Sequence, residues 1–317
     1  VMLGIIFALQ FLAGHPQYFF YSVLFATAFF LFRTCHLLKN HEFKKWSFSC
    51  LGFGFSLLLA SLMVFHQLTP LVEILSLSSR GTLSYQDMAE FSFPLENLIT
   101  LLIPTIFGDM IKVKYWGVYN LWEMCIYSGT LPLLLAILAL FKTKNKQQYV
   151  YFFLFTAIIT LIIGLGSNTP ILKILYSIFP GFGFFRGHSK IVIIFCFCVS
   201  TLAGIGFDRL ANLKRGKGCT FKVQLTFLLS ASFLMILLVK YSGLFEDIIK
   251  YMLMAAEKDP RRYLPVPDSN DSEFLQPLIL LAKKSSMIFL MLLFISGSLV
   301  FLIKRFGFNK LLQISVV

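Results

Sequence analysis

Eight apolar runs, each nearly free of charge, set the terms for any fold this chain can adopt: residues 1–12, 18–32, 46–65, 124–141, 149–165, 191–207, 221–239 and 285–303. With 57% apolar residues and a mean hydropathy of +0.79, the chain reads as a polytopic membrane protein, and a soluble fold is excluded. An unpaired backbone amide or carbonyl in hydrocarbon costs on the order of several kcal/mol, so each run is expected to be a helix. The expected fold class is all-α and polytopic, with about eight transmembrane helices in one transmembrane domain, residues 1–317. The first run is too short to span, and the chain opens at Val1 inside it, so the sequence reads as an excerpt of a longer protein.

The connections between runs alternate in charge. One set holds Arg33, Lys39, Lys44, Lys45, Lys142, Lys144, Lys146, Arg209, Lys214, Arg215, Lys217, Lys222, Lys304, Arg305 and Lys310, against only Glu42 and Asp208. This set carries the entire net charge of +13. The other set, residues 67–123, 166–190 and 240–284, holds 13 basic and 13 acidic residues and is neutral. Lys and Arg density in short loops marks the cytoplasmic side, so the first set is expected inside and the second outside. Both ends of the chain then face the cytoplasm, in agreement with an even number of spans. Basic clusters one turn from helix ends follow from topology and need no nucleic acid to explain them.

The outer segments hold what chemistry there is. Residues 67–123 form a large outer loop and residues 241–285 a second one. Within the first, residues 93–107 (FPLENLITLLIPTIF) are apolar but cut by Pro94 and Pro104, and too short for an ordinary span. An interfacial or re-entrant helix is expected there, and another short surface helix over residues 71–77. The second outer loop reads as a helix followed by an extended stretch with prolines at 260–267. The six cysteines offer neither a disulfide framework nor a metal spacing. Asn270-Asp271-Ser272 fits the glycosylation acceptor pattern, which is common by chance.

Four local sequences go beyond what topology requires. They are Leu12-Ala13-Gly14-His15-Pro16-Gln17; Pro94-Leu95-Glu96-Asn97 with Ile103-Pro104-Thr105-Ile106-Phe107-Gly108, Tyr115-Trp116-Gly117, Glu123 and Tyr127-Ser128-Gly129; Gly166-Ser167-Asn168-Thr169-Pro170 leading through Phe179-Pro180-Gly181-Phe182-Gly183-Phe184-Phe185-Arg186 to Lys190; and Leu202-Ala203-Gly204-Ile205-Gly206-Phe207-Asp208-Arg209-Leu210. In this order and spacing the chain resembles the YfhO-type family of bacterial integral membrane proteins, of the GT-C class of glycosyltransferases. The resemblance is clearest over residues 1–210. It implies a GT-C-like fold in the bacterial inner membrane and an enzyme that moves a sugar from a polyprenyl-phosphate donor to an extracytoplasmic acceptor, a cell-envelope polymer, lipid or protein. One departure stands out. Where family members often carry a second Arg, this chain has Lys190, which keeps the charge but not the bidentate fork.

Such a reaction needs a carboxylate to take the acceptor's proton and cations to stabilise the departing phosphate, with an apolar groove beside them for the lipid. Arg186 and Lys190 break the inside bias of positive charge and lie beside Phe182, Phe184 and Phe185, which makes them candidates for the phosphate. Snorkelling to headgroups explains them equally. The resemblance implies that the catalytic base lies in the first outer loop, upstream of Val1. Glu96 is the secondary candidate, a charge in an apolar segment with Asn97 beside it to orient sugar hydroxyls; the alternative is an ion pair or a helix cap. His15 is placed to contact donor phosphate or to bond nearby backbone. Asp109 is read as a ligand for sugar or a divalent ion, or as a turn former, and Trp116 as a stacking surface for a sugar ring or a belt residue. No cofactor is predicted, and a divalent ion is left open. The expected partners are the lipid bilayer, the donor and the envelope acceptor, with no nucleic acid. Two other functions stay open: a lipid-linked saccharide flippase, which would line a cavity with charges inside its spans, and a polysaccharide polymerase or ligase using a lipid-diphosphate donor. The spans carry almost no charge, which favours an interfacial enzyme.

Overall fold

Where an apolar run is long and uninterrupted, a helix is the only local way to pair its backbone in lipid. The computed structural model describes residues 1–78, 83–141, 147–179, 181–211, 243–257, 261 and 272–306, and their regular structure is helical throughout. The run at 221–239, the basic stretches 142–146 and 212–222, most of the proline-rich stretch 260–267, and Asn270 and Asp271 lie outside the described residues. In chain order the helices are α1 (Met2–Leu12), α2 (Pro16–Lys39), α3 (Phe43–Met63), α4 (Phe65–Leu77), α5 (Tyr85–Ala89), α6 (Thr130–Ala139), α7 (Gln147–Gly164), α8 (Ile171–Ile178), α9 (Val192–Ala211), α10 (Leu244–Glu257) and α11 (Ser272–Phe306).

Among the described residues, five helical stretches are long and apolar enough to cross a membrane: Pro16–Lys39, Phe43–Met63, Gln147–Gly164, His188–Ala211 and Glu273–Leu302. The protein is therefore an α-helical, multi-pass membrane protein. On α3 the large side chains Phe48, Leu51, Phe55, Leu58 and Leu62 are all exposed, at spacings of three and four residues. An apolar stripe turned outward along one helix face is what lipid, rather than water, solvates.

Two runs depart from the expected spans, and the chain's first run, at residues 1–12, is too short to span, as its length implies. The run at 124–141 yields only the ten residues of α6, about 15 Å of helix against a hydrocarbon core of about 30 Å. Gly129, at φ 90°, breaks the run before Thr130. The first run gives α1, eleven residues long. Conversely α11 starts at Ser272, well ahead of the expected span at 285–303, and runs for 35 residues, about 50 Å. Lys283 and Lys284 interrupt the hydropathy there but not the helix.

The chain divides into two compact units, Val1–Ser92 with Ile159–Ile194, and Phe93–Ile158 with Phe195–Val317. In the first unit, Phe7, Ala8 and Phe11 of α1 pack with Ala60 of α3 and Val64, and Phe19 of α2 meets Phe7 and Phe11 edge-on at 6.0 and 5.3 Å. Ser84 and Asp87 form a reciprocal capping box at the start of α5.

In the second unit, the segment expected to be an interfacial helix is a 3-10 helix, Leu95–Leu101, followed by turns. Pro104 has no N–H to donate and disfavours α geometry in the residue before it, which ends the helix. The apolar side chains Ile103, Ile106 and Phe107 turn into a core with Tyr115, Trp116 and Val113. Ile249, Leu253 and Ala256 of α10 and Leu278, Ile279 and Ala282 of α11 complete it, each set at helical spacing.

Candidate functional site

The first unit brings its polar residues together at the start of α2. Pro16 occupies the first position of that helix, where a missing N–H costs nothing, and His15 caps it with its ring 4.4 Å from Tyr18. One residue in from Pro16, Gln17 turns inward and is 5% exposed. Its Nε2 donates to Tyr21 Oη at 2.9 Å, to the carbonyl of Arg186 at 3.0 Å and to the carbonyl of Gly187 at 3.2 Å. The loop that precedes α9 is thus tied to the first two turns of α2.

That loop is built from short 3-10 turns and two left-handed glycines. Phe182–Phe184 and His188–Ile191 are 3-10 helices, with Gly187 between them at φ 70°. A side chain is strained in this conformation, and a Cβ at Gly187 would lie 3.0 Å from Lys190 Nζ. The loop is pinned from the other side as well, since Gly187 N–H donates to the carbonyl of Glu90 at 3.1 Å. Glu90 also holds Arg186, its Oε2 standing 3.4 Å from Nη1, and the guanidinium lies 5.6 Å from the centre of the Phe91 ring. Ser92 continues the same strip, donating to the carbonyl of Ala89 and accepting from the N–H of Ser167 at 2.9 Å.

These contacts frame a cavity of about 400 Å³. His15, Gln17, Arg186 and Lys190 supply its polar wall, and Leu71 and Leu75 of α4, Leu83, Phe184 and Phe185 its apolar wall. Leu83 is fixed from α8, whose Tyr176 hydroxyl donates to the Leu83 carbonyl at 3.1 Å. The arrangement puts Arg186, Lys190 and a histidine beside an aliphatic and aromatic surface, a combination suited to an anionic headgroup carrying an apolar tail.

Of the residues expected from sequence, His15, Arg186 and Lys190 meet in this cavity. Glu96, Asn97, Asp109 and Trp116 belong to the second unit and have other surroundings there. Glu96 is exposed, with Oε1 at 3.9 Å from Arg261 Nη2, the ion-pair alternative. Asn97 is fully buried, its Nδ2 donating to the Met124 carbonyl at 2.9 Å and to Tyr115 Oη at 3.4 Å, so it braces the core and has no surface to offer a sugar hydroxyl. Trp116 is 2% exposed and packs on Phe107 at 4.9 Å, which leaves no open face for stacking.

Asp109 closes a turn, its Oδ1 accepting from the N–H groups of Ile111, Lys112 and Val113 at 3.0, 2.8 and 3.1 Å. Partial desolvation would raise its pKa, but the backbone N–H bonds outweigh that and hold the carboxyl below its usual range. Among the described residues, no group of three or more His, Cys, Asp or Glu comes together as a metal site.

Gln17 lines the cavity, while Tyr21, His188 and Glu90 hold the loop behind it; none of the four was a candidate site residue from sequence. Gln17 and Tyr21 sit four apart on one helix face, which is the one local signal they leave. No protein-family model, curated protein or solved structure matches the chain.

Proposed function

We propose that this chain is a membrane glycosyltransferase of the GT-C class that moves a sugar from a polyprenyl-phosphate donor to an extracytoplasmic acceptor in the bacterial cell envelope. The observation that carries this reading is the cavity in which Arg186, Lys190 and His15 face Leu71, Leu75, Leu83, Phe184 and Phe185. The ordered sequence series and its resemblance support the same class. The segregation of net charge supports a cytoplasmic position for both ends of the chain and an outward-facing site in the inner membrane.

The chemistry needs a carboxylate in addition to the cations and the apolar wall that line the cavity. The acceptor oxygen bonds to the anomeric carbon, and the bond from that carbon to the phosphate oxygen breaks with its electron pair left on the phosphate. The acceptor's proton passes to a carboxylate. Arg186 and Lys190 stabilise the negative charge that builds on the leaving phosphate, while the apolar wall receives the first isoprene units. Donor and cations meet at the membrane interface, where a lipid-linked substrate need not leave the bilayer.

The test is sugar transfer from polyprenyl-phosphate donor by Arg186→Ala in the complete protein. Transfer is expected to fall by about 100-fold, the scale for removing one charge-stabilising donor, with the amount of folded protein in the membrane little changed. Unchanged transfer at normal expression would remove Arg186 from the mechanism.

A further inference from the structure

We infer that Gln17, Tyr21 and His188 form a positioning relay that fixes the Arg186–Lys190 loop and thereby sets the affinity of the cavity for a lipid phosphate. The inference rests on the glycosyltransferase reading and extends it to residues that act through the Arg186–Lys190 loop, of which Gln17 also lines the cavity.

The three side chains are among the most enclosed polar groups of the first unit: Gln17 is 5% exposed, and Tyr21 and His188 are 1% exposed. Burying such groups is costly unless each hydrogen bond is made, and here the donors leave one consistent arrangement. The Gln17 amide nitrogen can only donate, so the Tyr21 hydroxyl accepts from it at 2.9 Å and gives its own proton to His188 Nδ1 at 2.7 Å. His188 is then the tautomer with hydrogen on Nε2, which donates to the Phe182 carbonyl at 3.2 Å. The His188 ring also lies flat on Phe182, 5.2 Å between centres. The chain of donors runs without interruption from the start of α2 to the loop, and one end of it lines the cavity.

What the relay holds is the backbone that carries the cations. Gln17 serves three acceptors with two hydrogens, and two of those acceptors are the consecutive carbonyls of Arg186 and Gly187. The left-handed turn at Gly187 folds Lys190 back over it, so Arg186 and Lys190 point into one cavity only while that turn is held. Loss of the relay would let the two charges drift apart, and at Tyr21 and His188 it would do so without removing a residue that lines the cavity. The three side chains are therefore positioning residues.

The experiment uses the full chain reconstituted in phosphatidylcholine vesicles and titrated with polyprenyl monophosphate. Tyr21→Phe and the near-isosteric Gln17→Met are each expected to weaken binding about tenfold, equivalent to about 1.4 kcal/mol. In transfer assays the donor KM should rise by a similar factor while kcat stays within about twofold, a split that general destabilisation would not produce. Thr34→Val is the control: it deletes a buried hydroxyl from the same helix, one that bonds only to the Phe30 carbonyl, and should leave binding unchanged. Trypsin cleavage after Arg186 should be faster in Gln17→Met than in the wild type. Unaltered affinity in both relay variants, or an equal loss in Thr34→Val, would overturn the inference. A wild-type protein that binds no polyprenyl phosphate, with cleavage after Arg186 still faster in Gln17→Met, would overturn the lipid-phosphate reading and support the anchoring of the loop alone.

Discussion

Arg186 stands 3.4 Å from the carboxylate of Glu90, and both side chains are about half exposed. An exposed pair of this kind is worth about 1 kcal/mol or less and weakens with salt, yet Glu90 competes directly with any anion that Arg186 is to bind. Glu90→Gln removes the competing charge and leaves the backbone carbonyl that anchors Gly187. The variant is therefore expected to bind polyprenyl phosphate about two- to fivefold more tightly at low ionic strength. The gain should shrink as salt rises toward 1 M. Weaker binding in Glu90→Gln, measured in the same vesicles, would make Glu90 part of the ligand's own site.

How much of this was legible in the sequence depends on what kind of contact is in question. The long helices are legible because each satisfies its own backbone: α3, α7 and α9 lie within a few residues of the apolar runs, and α2 covers its run and continues to Lys39. The run at 124–141 misleads because hydropathy does not register that Gly129 stops the helix. The N-terminal half of α11 is hidden for the opposite reason, since Lys283 lowers the hydropathy while its side chain pairs with Glu246. In the site, Arg186 and Lys190 are legible as basic residues beside the aromatic run of Phe182, Phe184 and Phe185. Their partners are not. Gln17 meets Gly187 across 170 positions, and no local period encodes that meeting. Asn97 reads from sequence as orienting sugar hydroxyls beside Glu96, and Trp116 as a sugar-stacking or belt residue, but Asn97 is buried and the folding of residues 103–116 onto α10 and α11 buries Trp116.

A close helix crossing in the second unit gives a prediction independent of function. At Gly206 in α9, an added Cβ would overlap the carbonyl oxygen of Leu135 in α6, whereas at Gly204 nothing lies within 4 Å. Backbone oxygens cannot move aside as a side chain can, and small residues at such crossings are what let membrane helices approach. Gly206→Val is expected to destabilise the protein by about 1–3 kcal/mol or more, read as a lower thermal midpoint in detergent and a smaller folded fraction. Gly204→Ala should fall within about 0.5 kcal/mol of the wild type. Equal effects at the two positions would mean that α6 and α9 do not cross at Gly206.

Asp109 yields the pH dependence. Partial desolvation raises its pKa, but the N–H groups of Val113, Lys112 and Ile111 bind its charged form and hold the folded value below that of the unfolded chain. A carboxyl with a depressed folded pKa contributes stability in full above its unfolded value of about 3.9 and loses it as pH falls through the folded value. From pH 5 to 8 the turn at 109–113 should therefore be insensitive to pH. Below about pH 4 the wild type should lose this contribution, while Asp109→Asn, which keeps a neutral acceptor at Oδ1 and cannot be protonated there, should show a flatter profile. Thermal midpoints of the two proteins at pH 7 and pH 3 make the comparison. A wild-type protein that gains stability relative to Asp109→Asn on acidification would reverse the sign and show that desolvation, not the three N–H bonds, governs this carboxylate.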